Sequence, residues 1–314
     1  MSRITSPPLS LPASVLSAPQ APATGLPMLM NPERLSHYYR PERAAMLSIP
    51  QPTQGHLEDY LARVELIVPE MIGSTAVIKI MGMIEYKLSW YGLLFGATST
   101  RAVDLAFQRC VDNPDVERIV LQLDTPGGDP TGLAECAKRI FDQREAKPSV
   151  ALVDPYCASA GLWFAAACGK IVALQSAWIG WMGTMVVVES YAEMLKMVGI
   201  DQRAICSPEK KAEWHPANPI SEDYQAHLQS MCNELTKQFT ATIAKYRGVS
   251  ASHAAENFGQ GRGLRAPAAK EAGLVDELTA SAPAILTGSK RRASGKAATR
   301  ADGGAAVEML RRCV

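Results

Sequence analysis

No two cysteines in this chain stand in a CxxC pair. The seven are scattered, at positions 110, 136, 157, 168, 206, 232 and 313, and their number is odd. That pattern excludes a disulfide framework and a cysteine-built zinc site, and it fits a reducing compartment. An excess of one charge is missing too. Thirty-two Lys and Arg stand against 31 Asp and Glu, a net +1, which gives no global argument for a nucleic-acid partner. Long hydrophobic runs are the third absence. Prolines at 7, 8, 12, 19, 22 and 27 interrupt the first thirty residues, so no signal-peptide core is expected. The most apolar region, Ala158 to Val188, contains Lys170 and several glycines. It divides into helix, strand and loop rather than reading as a membrane span. A cytoplasmic location without a membrane anchor is the expectation.

What is present is a chain of 314 residues, 47% hydrophobic, enough for one large core. Residues 1–60 are rich in Pro, Ser and Ala at their start and read as a disordered or arm-like extension. Residues 281–314 carry seven basic and two acidic residues and read as a flexible basic tail. Between them, residues 61–280 alternate strands and helices. Alternating apolar residues predict a strand at 76–84, and short strands are also expected at 118–123, 149–153, 170–174, 185–188 and 201–206. Helical spacing predicts helices at 99–111, 131–145, 159–168, 189–198, 221–246 and 266–272. This is the pattern of an α/β fold with right-handed crossovers.

Ser159 stands where an apolar strand, Val150 to Val153, hands over to an apolar helix through Asp154-Pro-Tyr-Cys-Ala-Ser-Ala-Gly161. A hydroxyl on a tight bend projects from the backbone, and amides at the turn can hold a developing oxyanion. The small neighbours Ala158, Ala160 and Gly161 admit a substrate carbonyl. The plain alternative is a serine that caps a buried helix. Cys157, two residues earlier, reads as a small buried side chain rather than the nucleophile. A second glycine-rich turn, Asp124-Thr-Pro-Gly127-Gly128, closes another strand and exposes amides with no side chain in the way.

A serine nucleophile needs a base. None of the five histidines, at 37, 56, 215, 227 and 253, follows a strand in a triad setting. His215 is the nearest to one. The other choice is a lysine whose pKa is lowered by burial, so that it can stand neutral and accept a proton, and Ser207-Pro-Glu-Lys210-Lys211 offers two.

Leu123-Asp-Thr-Pro-Gly-Gly128, Cys157-Ala-Ser-Ala-Gly161, Ser207-Pro-Glu-Lys-Lys211 and Gly263-Leu-Arg-Ala-Pro through Leu278 come in that order. Together they resemble the serine–lysine peptidases of the signal peptide peptidase A family. The head-maturation (capsid) proteases of tailed bacteriophages are the branch most similar to this chain. The resemblance covers about residues 72–280. It implies a crotonase- and Clp-protease-like spiral of ββα units, with no cofactor and no metal. It implies Ser159 as nucleophile and Lys211 as general base, with Lys210 the adjoining alternative. Gly128 and Ala160 would supply the oxyanion hole, and Gly127, Gly183 and Thr184 would line the substrate groove. The implied substrates are proteins (capsid, scaffold or signal-peptide-like segments), cleaved in the host cytoplasm or an assembling phage prohead by a homo-oligomer. Pro208 stands where the family's lysine loop has glycine, and Ile179 to Thr184 departs from the family's groove segment. Three other readings remain: an inactive capsid or portal assembly factor, a cytoplasmic peptidase of the host, and a crotonase-type acyl-CoA enzyme.

Overall fold

The computed structural model describes residues 29–30, 67–89, 92–93 and 95–287. Nearly all of the expected N-terminal arm and residues 288–314 of the expected basic tail lie outside them; the first part of that tail, expected to be flexible, instead forms a short helix, Ala282–Leu286, because Ile285 and Leu286 pack on the sheet. In chain order the elements are β1 (Leu29–Met30), β2 (Glu70–Ile72), β3 (Thr75–Glu85), β4 (Thr98–Ser99) and α1 (Thr100–Asp112). Then come β5 (Arg118–Gly128), α2 (Leu133–Gln143), β6 (Ser149–Ala158), α3 (Gly161–Ala167), β7 (Lys170–Leu174) and β8 (Trp178–Gly180). The last part holds α4 (Ala192–Met197), a 3₁₀ turn (Glu209–Ala212), α5 (Glu222–Arg247), α6 (Ala251–Asn257), β9 (Gly263–Arg265), α7 (Ala266–Glu271), β10 (Glu277–Thr279) and α8 (Ala282–Leu286).

The main sheet runs β10-β7-β6-β5-β3-β2, parallel except for β2. Its strands sort their side chains by the period of two. Ala76, Ile78 and Ile80, then Ile119, Leu121 and Leu123, then Ala151 and Val153 enter one large core with α1, α2, α3 and α5. Val77, Val120 and Leu152, one residue out of phase, enter a small cluster on the other face with Ile285 and Leu286 of α8. Strands buried on both faces explain the continuous apolar runs in the sequence. Each fully buried Ile or Leu contributes about 1.5–3 kcal/mol.

The long strands do not stop where their apolar runs stop. β3 breaks register with β5 between Met81 and Met83, and β5 breaks register with β6 after Leu123. Beyond each bulge the strands continue, so that β4 adds to the end of β3 and β8 to the end of β6. Each long strand therefore supplies two β segments and is followed by a helix. Three such ββα units follow one another: β3 with α1, β5 with α2, β6 with α3. Two short strands expected from the sequence, 185–188 and 201–206, form no ladder beyond a single bridge at Met185. Val187 and Ile205 there face solvent, and among the described residues neither pairs in a ladder.

Candidate active site

The site forms where β5 and β6 part. Their register runs through Asp124 with Tyr156 and Thr125 with Cys157. Two residues further on, β6 turns at Ser159 into α3, while β5 continues to Gly127 and Gly128 beside Met83 and Ile84 of β3. The strand end carrying the two glycines and the serine turn thus lie side by side.

Ser159 is fully buried and holds a left-handed backbone, φ 51°. Such a conformation costs a non-glycine residue about 1–2 kcal/mol. The turn is tied on both sides: the Ser159 amide donates to the Gly180 carbonyl at 2.8 Å, and the Leu162 amide donates to the Ser159 carbonyl at 2.8 Å. The hydroxyl itself has no hydrogen-bond partner among the described residues. A buried hydroxyl without a partner costs about 1–3 kcal/mol. Strain and an unmet polar atom thus coincide on one residue. The capping role is not seen, because α3 begins at Gly161 without a side-chain cap.

Sterics require the glycines around it. A Cβ on Gly128 would stand 1.9 Å from the Ile84 carbonyl oxygen, and one on Gly161 2.6 Å from Thr125 Cγ2. Gly127 has φ 102°. Thr125 holds this turn: its hydroxyl donates to the Gly82 carbonyl at 2.6 Å and accepts the Gly127 amide at 3.1 Å. Gly180, which receives the Ser159 amide, has φ 137°, and its Cβ would meet the Arg262 carbonyl at 2.7 Å. Beyond it, Trp181 stacks on Tyr156 with ring centroids 4.9 Å apart. Sequence reading missed Thr125, Gly180 and Trp181, because their roles depend on bulges and strand ends that no local pattern reports.

The other sequence candidates are spread out. Cys157 is fully buried, and burial, with the neighbouring Cys168, pushes its thiol far above the usual range. It therefore stays protonated and is no nucleophile. Thr184 donates its amide to Thr236 Oγ1 at 3.1 Å, and its own hydroxyl is buried without a partner among the described residues. Gly183 has open space where a Cβ would stand. Lys211 lies on the 3₁₀ turn, exposed, and makes no hydrogen bond to Ser159 in this chain. Lys210 beside it is paired with Asp223, and that hydrogen bond, with the carboxylate's charge, raises its pKa. His215 accepts the Ala217 amide at Nδ1, 3.2 Å, and His253 Nε2 meets the Ala272 carbonyl at 2.9 Å. His37 and His56 lie outside the described residues. No group of three or more His, Cys, Asp or Glu able to hold a metal ion occurs among the described residues. No described helix is long and apolar enough to cross a membrane.

Residues 142–293 match the model of peptidase family S49. That match spans just under half of the chain. The matched segment holds both Ser159 and the Lys210-Lys211 turn. Capsid assembly protease C of Escherichia phage lambda is 29% identical over 237 residues, covering 72% of this chain and 52% of its own length. Head-tail preconnector protein GP5 of Enterobacteria phage P21 is 26% identical over 279 residues, covering 84% of this chain and 55% of its own. The chain spans about half the length of the curated relatives it matches. Among solved structures, a ClpP1 variant of Listeria monocytogenes aligns over 67% of this chain and 94% of its own at 15% identity, TM-score 0.39. An enoyl-CoA hydratase/isomerase family member aligns over 68% and 70% at 16% identity, TM-score 0.39.

Proposed function

We propose that this chain is a serine endopeptidase of the peptidase S49 family, acting through a Ser159 acyl-enzyme with Lys211 as general base. The observation that carries the reading is the Ser159 turn: a buried, unpartnered hydroxyl on a left-handed bend beside a bare glycine strand end. Ser159 Oγ attacks the scissile carbonyl carbon and gives its proton to neutral Lys211 Nζ. The new C–O bond forms, and the carbonyl oxygen takes up the charge against the amides of Gly128 and Ala160. The C–N bond then breaks as Lys211 returns its proton to the departing amine. Water, deprotonated by Lys211, opens the ester and restores Ser159.

The base must be neutral to act. Lys210, held protonated by Asp223, is poorly suited to that, which supports Lys211. Lys211 also needs cover from water to lose its proton readily. The excursion that carries it, residues 185–221, leaves Met194, Met197, Val198, Ile200, Ile205 and Trp214 exposed. That supports a homo-oligomer in which a second copy covers this face. The substrates, by likeness to the phage relatives, are capsid or scaffold proteins cleaved in an assembling phage prohead. One observation favours a second reading, a non-cleaving capsid or portal assembly factor: the hydroxyl and the lysine do not meet within the single chain.

Intact mass of the purified protein, alone and with a capsid or scaffold protein, separates the two. Cleavage by the parent that is lost in Ser159→Ala and in Lys211→Ala is the expected result. Cleavage kept in Lys211→Ala moves the base to Lys210 or His215. No cleavage by the folded parent favours the assembly factor.

A further inference from the structure

The strand β1 occupies a revealing place. Leu29 pairs with Gly128 and Met30 with Gly127, antiparallel to the end of β5. On its other flank this strand end pairs with Met83 and Ile84 of β3. β1 therefore lies on the flank that β6 held as far as Cys157 and left at the Ser159 turn. That vacated edge is the one an extended peptide must use to present a carbonyl to Ser159. Strand addition to such an edge relies on main-chain hydrogen bonds, and only one strand can hold it at a time.

We propose that the chain's own segment at Leu29–Met30 is an internal competitor for the substrate edge beside Ser159, displaced when a protein substrate binds. The proposal rests on Ser159 marking the substrate site. Two features of the segment fit a blocker that yields. No charged residue occurs from Ile4 through Pro32, so the strand enters the edge without a charge to desolvate. Pro27 and Pro32 bracket it. Proline donates no ladder hydrogen bond, which keeps the pairing short and therefore weak. A tether raises the local concentration of even a weak strand to about the millimolar range, enough to hold the edge until a better peptide arrives.

The test uses the full chain in a Ser159→Ala background, with and without Leu29→Pro and Met30→Pro together. The probe is a fluorescein-labelled peptide of residues 24–35, followed by anisotropy. The proline variant is expected to bind the probe at least about tenfold more tightly than its parent, because the tethered competitor is gone. Equal binding to both chains, or binding to neither, overturns the proposal. With Ser159 intact, the proline variant is expected to cleave labelled casein at a lower KM, with kcat kept. A rise in KM overturns the proposal as well. If neither chain cleaves casein, the peptidase reading fails, and the anisotropy result still decides whether the arm holds this edge.

Discussion

At the residue scale, the proposed nucleophile Ser159 carries two features that work against stability. Its left-handed backbone and its buried, unpartnered hydroxyl are both unfavourable. Glycine removes both, at the cost of a more flexible unfolded chain, about 0.5–1 kcal/mol. The gain from relieving φ alone is about 1–2 kcal/mol, and the orphan hydroxyl adds to it. Ser159→Gly is therefore expected to stabilise the fold by about 1 kcal/mol or more while abolishing cleavage. In a domain of this size that raises Tm by roughly 2–4 °C. Calorimetry of the purified variant checks it, and a lowered Tm would contradict the strain argument. The same residue illustrates how far local sequence reaches. The small residues around 159 point to a tight turn, but its anchor lies far off in sequence: the Gly180 carbonyl, twenty-one positions on, accepts the Ser159 amide.

At the element scale, α3 is the buried pivot that holds the serine in place. Every residue from Gly161 to Ala167 is buried, and Trp163 meets Phe239 of α5 edge-on, centroids 5.3 Å apart. α5 is fixed in turn at its C-terminal end. Arg247 grips Asp276 through two hydrogen bonds, 2.6 and 3.0 Å, and Asp276 also accepts the Ile171 amide of β7 at 2.7 Å. Burial pushes the Asp276 carboxyl up, but the Arg247 hydrogen bonds, the Ile171 amide and nearby positive charge outweigh it, so its pKa falls below the usual range. A carboxylate depressed in the folded state stabilises the fold above its unfolded pKa, about 3.9, and that contribution is lost as pH falls through the lower folded value. Asp276→Asn is expected to cost about 1–2 kcal/mol at pH 7, a figure discounted because about a third of the side chain reaches solvent. Urea titrations should show the gap between parent and variant narrowing below about pH 4. A gap independent of pH would remove the charge from the explanation. The helices here were legible from their 3.6-residue spacing, and α5 begins at Glu222 behind the Ser221 cap as expected. The second halves of β5 and β6 were not, because glycine, proline and aspartate break the alternating pattern where the strands bulge.

For the whole molecule, the outlying excursion is the least self-sufficient part. Met197 is 81% and Ile205 98% exposed, beyond what a single chain has reason to present. Met197→Glu with Ile205→Glu is expected to shift the protein from oligomer to monomer in light scattering. Cleavage should fall with it, while the denaturation midpoint stays within about 0.5 kcal/mol of the parent monomer's stability. A parent that is itself monomeric at working concentration would refute the oligomer reading. Apolar residues at 185–188 and 201–206 look like strands in sequence and unfinished in the fold. Val187 and Ile205 stay exposed, and among the described residues no ladder covers either segment.

The long helices, the first halves of the long strands with their buried faces, and the serine and glycine turns follow from the sequence alone, because hydrophobic periodicity and turn chemistry are local properties; the short strands β2, β4, β8 and β9 and the helices α6 and α8 do not. Tertiary structure alone decided that β6 leaves β5 two residues before Ser159, that Thr125 and Gly180 shape the two turns, and that Leu29–Met30 lies on the edge so opened. Those facts depend on bulges, register and pairing between segments far apart in the chain, and no pattern within a short window encodes them.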